Sequence, residues 1–169
     1  MDMQLELTKE HSKENSQIIA DYIGHSPERY AALWNLIKTA EAPIPQRASW
    51  VLDHSSFSYS PAIQPFISDM ILEIQKPVHV AVKRNVMKIL AATPEIPEDL
   101  SASLFDTCIN WIIEKKTAVA VKVYAIEVVA KIALPYKELR EEVKVVLEDQ
   151  LKHGSAGVKV RARRMIAIL

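Results

Sequence analysis

The sequence has a single cysteine, three glycines and no net charge, and each of these shortages excludes a class of protein. Cys108 alone cannot form an intramolecular disulfide or a multi-cysteine metal site, which suits a reducing compartment. Three glycines are too few for a glycine-rich phosphate loop, and no GxGxxG, Walker or HExxH motif occurs. Basic and acidic residues number 21 each. The chain therefore has no overall attraction to nucleic acid or to acidic membranes.

Long apolar segments are also missing. No uncharged apolar run reaches the roughly 18 residues needed to cross a bilayer. The first ten residues, MDMQLELTKE, are acidic and do not form a basic region followed by an apolar one, so they do not resemble a signal peptide. We therefore expect a cytoplasmic protein with no membrane partner.

One pattern occurs four times along the chain. Its copies begin at Pro45, Val82, Val121 and Val158, which are 37, 39 and 37 residues apart. In most copies apolar residues occupy the first, eighth and ninth positions, and the fifth holds a small or β-branched residue. The spacing i, i+4, i+7 and i+8 defines one face of a helix, so each copy predicts a helix with one buried side.

An amphipathic segment precedes each of these helices, and the four segments cover about 27–41, 61–75, 98–115 and 138–153. A further helix, at about 10–23, ends at Gly24, a residue suited to a helix C-cap. We therefore expect one domain, 1-169, with a leading helix and four helix pairs. The pairs cover approximately 27-55, 61-92, 98-133 and 138-169.

Two connections carry predictions of their own. The polar segment 53–60 is expected to be a serine-rich link in which Phe57 and Tyr59 pack on the helices. In the stretch VHVAVKRNVMKIL, residues 78–90, the first valines alternate as in a β-strand. Comparison with the other copies predicts instead a short extended link after Pro77 and a helix from Val82 to about Ala92.

The segments VAVKR, at 80–84, and VKVRA, at 158–162, resemble the second-helix consensus of HEAT repeats, in which a valine followed by a basic residue opens the inner helix. The repeat length also falls in the range of HEAT and armadillo units. The resemblance covers residues 27–169. It implies an all-α fold, a right-handed α-α superhelix of the HEAT-like solenoid type.

Stacked repeats of this kind expose an extended concave surface that usually serves protein recognition. The resemblance therefore implies a non-catalytic module that binds or scaffolds a protein or peptide and needs no cofactor. A regulatory subunit that assists an enzyme belongs to the same class. The candidate contacts lie on the inner helices and are mostly basic. They are Arg47, Trp50, Lys83, Arg84, Lys88, Lys122, Lys159 and Arg161.

Two interpretations of these basic residues stay open. Most lie in the first turn of a helix, where the helix dipole disfavours a cation, so each needs a compensating partner. Either they bind an acidic peptide or a phosphate chain along one edge of the solenoid, or they pair with acidic side chains of adjacent repeats.

A second function class also follows from the resemblance, because HEAT-like solenoids include DNA glycosylases that remove alkylated purines. Trp50 and Asp53 are the only aromatic residue and carboxylate placed to serve such chemistry, and the neutral net charge disfavours nucleic acid as a partner. No two histidines are spaced i, i+3 or i+4 on a predicted helix, so we expect no metal site. We also expect no catalytic residues.

Charge is divided unevenly along the chain. Residues 1–30 hold six acidic side chains against three basic ones. The last 16 residues hold Lys159, Arg161, Arg163 and Arg164 and no acidic side chain. Polar capping of the solenoid ends accounts for this distribution, and weak head-to-tail self-association between copies is the alternative.

Overall fold

The computed structural model describes residues 1–56 and 61–169, and the regular structure of these residues is helical throughout. Within these described residues, ten α-helices follow one another, with a 3-10 helix, Pro61–Phe66, before the fifth. The α-helices are α1 (Met3–Lys9), α2 (Lys13–Ile23), α3 (Pro27–Thr39), α4 (Ile44–Ser56), α5 (Ile67–Ile74), α6 (Val80–Ala92), α7 (Glu98–Ile113), α8 (Val119–Ala133), α9 (Lys137–His153) and α10 (Ala156–Ile166). The all-α fold class predicted from the sequence is confirmed.

Helix α1 was not expected from the sequence. Asp2 starts it, because the Asp2 carboxylate accepts a hydrogen bond from the Leu5 N–H at 3.1 Å. Only Leu7 of its seven residues is buried, so no apolar periodicity marks the helix. Packing against α2 and α4 buries that leucine. Tertiary contacts thus hold a helix that is too short to be stable alone.

The segment expected as one helix over 61–75 divides in two. Its first part is the 3-10 helix, which contains Pro65, and α5 follows from Ile67. Proline lacks the N–H that a continuous α-helix would need at that position, and 3-10 turns commonly precede α-helices.

Helix α6 begins at Val80, two residues before the predicted start. The side chain of His79 explains the difference, because its Nδ1 accepts the Ala81 N–H at 3.1 Å. The His79 carbonyl in turn accepts the Lys83 N–H at 3.1 Å. A histidine therefore acts as the N-cap, a role usually taken by serine, threonine, aspartate or asparagine.

The chain divides into two compact units, Met1–Ile89 and Leu90–Leu169. In the first unit, α2 and α3 both pack on α4. Tyr30 is fully buried and donates its hydroxyl hydrogen to the Ser55 carbonyl at 2.7 Å. Buried Asn85 donates to the Ser49 hydroxyl at 3.0 Å, and Ser49 donates to the Gln46 carbonyl at 2.8 Å. These buried polar groups are thus satisfied within the core.

In the second unit, α8 packs on α7, α9 and α10. The repeat positions of α8 are buried as the sequence pattern predicted: Val121, Ala125, Val128 and Val129 are all at most 1% exposed. Small Ala125 and Ala162 occupy the fifth position in α8 and α10, where close packing of helices favours small side chains.

None of the described helices is both long and apolar enough to cross a membrane. The predicted packing of Phe57 and Tyr59 concerns residues outside the described part of the chain.

Candidate functional site

Two of the predicted contact residues bond to the carboxyl-terminal ends of other helices. The Arg47 guanidinium, at the start of α4, donates to the Leu7 carbonyl at 2.7 Å and the Thr8 carbonyl at 3.3 Å. Lys122 Nζ, at the start of α8, donates to the Ile112 carbonyl at 3.0 Å. These carbonyls lie in the last turns of α1 and α7, where no intrahelical donor remains and the helix dipole is negative. Both cations therefore stabilise helix ends.

Lys131, which was not among the predicted residues, makes the same kind of contact with the end of α6. Its Nζ donates to the carbonyls of Leu90 at 2.9 Å and Ala91 at 2.6 Å, and also to that of Thr93. Burial lowers the pKa of the Lys131 amine to about 8. No sequence pattern indicates this role, because the acceptors are backbone atoms some 40 residues away along the chain.

Two further predicted residues form ion pairs. Lys88 Nζ on α6 lies 2.9 Å from Asp53 Oδ2 on α4, and Arg161 on α10 pairs with Glu127 on α8. The Lys88 and Arg161 side chains are 31% and 22% exposed. Pairing with acidic residues of neighbouring helices, one of the two interpretations open from the sequence, thus occurs at these positions.

The other predicted residues differ in exposure. Trp50 is half-buried, and its ring lies 4.8 Å from that of His11 and 5.3 Å from that of His54. Arg84 is exposed, and its Nε donates to the Asn85 side-chain oxygen at 3.1 Å. Lys83 and Lys159 are half-buried. The Trp50 ring thus lies close to two histidine rings and is only partly exposed.

A groove of about 590 Å³ lies in the second unit, where two helix-connecting turns come together. One side is formed by the end of α7, the turn after it and the start of α8. The other is formed by the end of α9, the turn Gly154-Ser155 and the start of α10. Its lining residues are Ile113, Lys115, Thr117, Val119, Lys122, Asp149, Gln150, His153, Gly154, Ser155 and Val158.

Apolar side chains stand at the opening of the groove. Ile113 is 57% exposed and Val119 is 48% exposed. Exposed apolar residues that stand close together around a concavity are more informative than isolated ones, because they mark surfaces that bind ligands or partners. Buried Val158 continues the apolar surface inward.

The residues that line the groove carry more positive than negative charge. Lys115 and Lys122 line it, against one carboxylate, that of Asp149, which lies 3.8 Å from His153 Nε2. Lys115 is exposed and forms no ion pair with any described residue. The first turns of α8 and α10 also face this region, and neither N-cap side chain accepts a hydrogen bond. Their free N–H groups add partial positive charge.

Of the predicted contacts, only Lys122 lines this groove. Lys115, Ile113 and Val119 were missed, since they flank a turn and do not belong to the repeated helical pattern. A signal was available in the sequence, where the two apolar residues bracket the charged turn Glu114-Lys115-Lys116. Residues in and beside a turn do not follow the helical period of the repeat.

Within residues 1–56 and 61–169, no group of three histidine, cysteine, aspartate or glutamate side chains could hold a metal ion. Cys108 is fully buried, and burial raises the pKa of its thiol, which makes it a poor nucleophile. Asp53 is buried, and its carboxylate is engaged in an ion pair with Lys88.

Comparison with known proteins gives one match. A family model described as a HEAT repeat domain matches residues 3–168, nearly the whole chain. No match was found among the curated proteins or among the solved structures. The resemblance inferred from the segments at 80–84 and 158–162 is confirmed by the family match, which begins within α1 and so includes the helix that the sequence pattern did not predict. The chain therefore belongs to the HEAT repeat domain family.

Proposed function

We propose that the protein is a non-catalytic binding module whose groove in the second unit takes an acidic segment of a protein partner. HEAT repeats generally mediate protein interactions, which supports this class of partner. One observation carries the proposal: the exposed apolar residues Ile113 and Val119 stand beside the cation Lys115, whose charge no described residue neutralises.

The chemistry of the groove defines the partner segment. An apolar side chain of the segment would lie between Ile113 and Val119, because burying exposed apolar surface is the main favourable term in association. Its carboxylates would lie near Lys115 and the first turns of α8 and α10, where the potential is positive. A basic segment would meet like charges and is disfavoured.

The inner-helix residues predicted from the sequence contribute differently to this proposal. Arg84 and Lys159 are proposed as additional contacts, since neither is paired with an acidic side chain among the described residues. Arg47, Lys88, Lys122 and Arg161 bond within the chain, so we assign them first a role in holding helices in place. Cys108 is a single buried thiol, and the proposed location stays the cytoplasm, a reducing compartment.

DNA glycosylase activity is not proposed. It would need an aromatic side chain and a carboxylate that reach a flipped base. Trp50 is half-buried beside two histidine rings, and Asp53 is buried and ion-paired. No observation on the described residues favours this activity over protein binding.

A displayed library of random peptides, selected on the immobilised protein, tests the proposed function. We expect the selected peptides to combine acidic residues with at least one large apolar residue. Synthetic versions should bind the Lys115→Glu variant at least about tenfold more weakly, which corresponds to about 1.4 kcal/mol. The Ile113→Ser variant should also bind them more weakly.

The matched control is Lys116→Glu, which makes the same charge change one residue away, outside the lining of the groove. Its affinity should stay within about twofold of wild type, since a solvated rim charge contributes little. The proposal is wrong if the library yields no binder, if the binders are not acidic, or if Lys115→Glu and Lys116→Glu behave alike.

A further inference from the structure

The solvent face of α2 carries an apolar residue between two acidic ones. Ile18 is 56% exposed. Glu14, four residues before it, and Asp21, three residues after it, are exposed as well. Residues three and four apart are neighbours on a helix surface, so the three side chains form one patch. We call Glu14, Ile18 and Asp21 the acidic face.

Helix α10 carries the opposite arrangement. Val160 is 62% exposed, and Arg163 and Arg164, three and four residues after it, are also exposed. Burial lowers the pKa of the Arg161 guanidinium, and the nearby charge of Arg164 lowers it further. We call Val160, Arg163 and Arg164 the basic face.

The charges of both faces lack opposite charges within the described part of the chain. Glu14, Arg163 and Arg164 form no ion pair or side-chain hydrogen bond with any described residue. Asp21 accepts a hydrogen bond from the neutral side chain of Gln17 at 2.8 Å. No described side chain of opposite charge thus pairs with either face.

We propose that the basic face of one copy of the chain docks on the acidic face of a second copy. Val160 would pack on Ile18, and Arg163 and Arg164 would pair with Glu14 and Asp21. The proposal commits to a second copy because the two faces match in both charge and the placement of an exposed apolar residue. Zero net charge also removes the overall repulsion that would oppose self-association.

The contact would join unlike surfaces. Pairing two acidic faces or two basic faces would place like charges together, so a symmetric dimer through either face is disfavoured. A heterologous contact leaves one free face on each outer copy, and further copies can add. Each face exposes one apolar residue, so we expect weak association that grows with protein concentration and weakens with salt.

Sedimentation velocity over a concentration series tests the proposal. Near 30 mM salt, the weight-average mass should rise above the monomer mass as concentration increases. Near 500 mM salt, where charges are screened beyond about 4 Å, it should return to the monomer mass. A monomer mass at every concentration at low salt would overturn the proposal.

Charge exchange identifies the surfaces. One variant carries Glu14→Lys and Asp21→Lys, and the other carries Arg163→Glu and Arg164→Glu. Each variant alone should be monomeric, because both of its faces then have charges of the same sign. An equimolar mixture should associate again, since each face of one variant matches a face of the other. If both variants are folded by circular dichroism and the mixture stays monomeric, the proposal is wrong.

A charge-matched control separates the local contact from net charge. Lys137→Glu with Lys152→Glu reverses the same two charges at exposed positions of α9 and leaves both faces intact. This variant should retain self-association at low salt. If it is as monomeric as the Arg163 and Arg164 variant, net charge governs association and the assigned faces are wrong.

Discussion

Lys88 Nζ lies 2.9 Å from Asp53 Oδ2 and joins α6 to α4 through a largely buried carboxylate. The two side chains differ in exposure, 31% for Lys88 and 10% for Asp53. Replacing Lys88 should therefore destabilise the protein by a different amount from replacing Asp53, since only the lysine can readily regain contact with water when its partner is lost.

Lys88→Met should lower the free energy of unfolding by about 1–3 kcal/mol, because it leaves the Asp53 carboxylate buried without this cation. Asp53→Asn should cost less, since its amide oxygen can still accept from Lys88 and the lysine can turn toward solvent. Urea denaturation of both variants and of the double variant measures the difference. Equal losses in the two single variants would contradict this account.

Gly154 should not tolerate even the smallest side chain. A Cβ there would lie 2.6 Å from the Gln150 carbonyl oxygen and 2.8 Å from Val158 Cγ1. The backbone oxygen is fixed in the last turn of α9, so the added atom must displace the turn. Gly154→Ala should lower the free energy of unfolding by about 1–3 kcal/mol, a typical cost of overpacking.

Gly157→Ala is the matched control for that substitution. Its Cβ would lie 3.7 Å from Val119 Cγ1, an ordinary contact. Alanine also favours the helical backbone over glycine by up to about 1 kcal/mol, so this variant should be as stable as wild type or more stable. Urea midpoints compare the two. If both alanines have the same effect, the close approach at Gly154 does not govern stability.

Lys131 should make stability depend on pH in the alkaline range. Burial lowers the pKa of its amine from 10.5 in the unfolded chain to about 8 in the folded one. At pH values between about 8 and 10.5, the Lys131 amine is therefore mostly protonated in the unfolded chain and mostly deprotonated in the folded one. The contribution of Lys131 to the free energy of unfolding should therefore increase as pH rises from about 8 toward 10.

Chemical denaturation at a series of pH values, on wild type and Lys131→Met, measures this contribution. The wild type should gain stability relative to the variant as pH rises. Lys116→Met, which removes an exposed lysine, should follow the wild-type curve. Parallel curves for wild type and Lys131→Met would contradict the lowered pKa.

Cys108 should resist thiol reagents until the protein unfolds. The side chain is fully buried, and burial raises the pKa of its thiol. A reagent therefore cannot reach the sulfur, and little of the reactive thiolate is present. With a chromogenic disulfide reagent at pH 8, native wild type should react hardly at all in buffer. In urea it should release one equivalent of chromophore per chain. The Ser103→Cys variant, exposed on the same helix, should give one rapid equivalent in buffer. Rapid reaction of native wild type would refute the burial.

The repeated helices could be predicted because the spacing of apolar residues that indicates a helix lies within a short stretch of sequence. Val121, Ala125, Val128 and Val129 follow the i, i+4, i+7, i+8 spacing, and all four are buried in α8. The HEAT resemblance inferred at Val82 and Val158 is confirmed over nearly the whole chain. Helix α1 could not be predicted, because only Leu7 of the helix is buried and its burial comes from packing against α2 and α4.

The candidate site could be predicted only in part. The basic residues at the inner-helix starts were identified from spacing, and whether any of them contacts a partner stays a prediction. Their bonds within the chain could not be seen, since the acceptors of Arg47, Lys122 and Lys131 are backbone carbonyls, which carry no sequence signature. The groove residues Lys115 and Val119 could not be predicted from the repeat because they lie in and just after a turn, before the repeated positions that begin at Val121.

The sequence by itself determined an all-α chain of repeated amphipathic helices, because helix formation follows from the local spacing of apolar residues. Only the tertiary structure decided which cations stabilise helix ends and which stay unpaired at a groove or on a helix face. That division depends on distances between residues far apart in sequence. Lys122 reaches a carbonyl of the preceding helix, whereas Lys115, seven residues earlier, meets no acidic partner among the described residues.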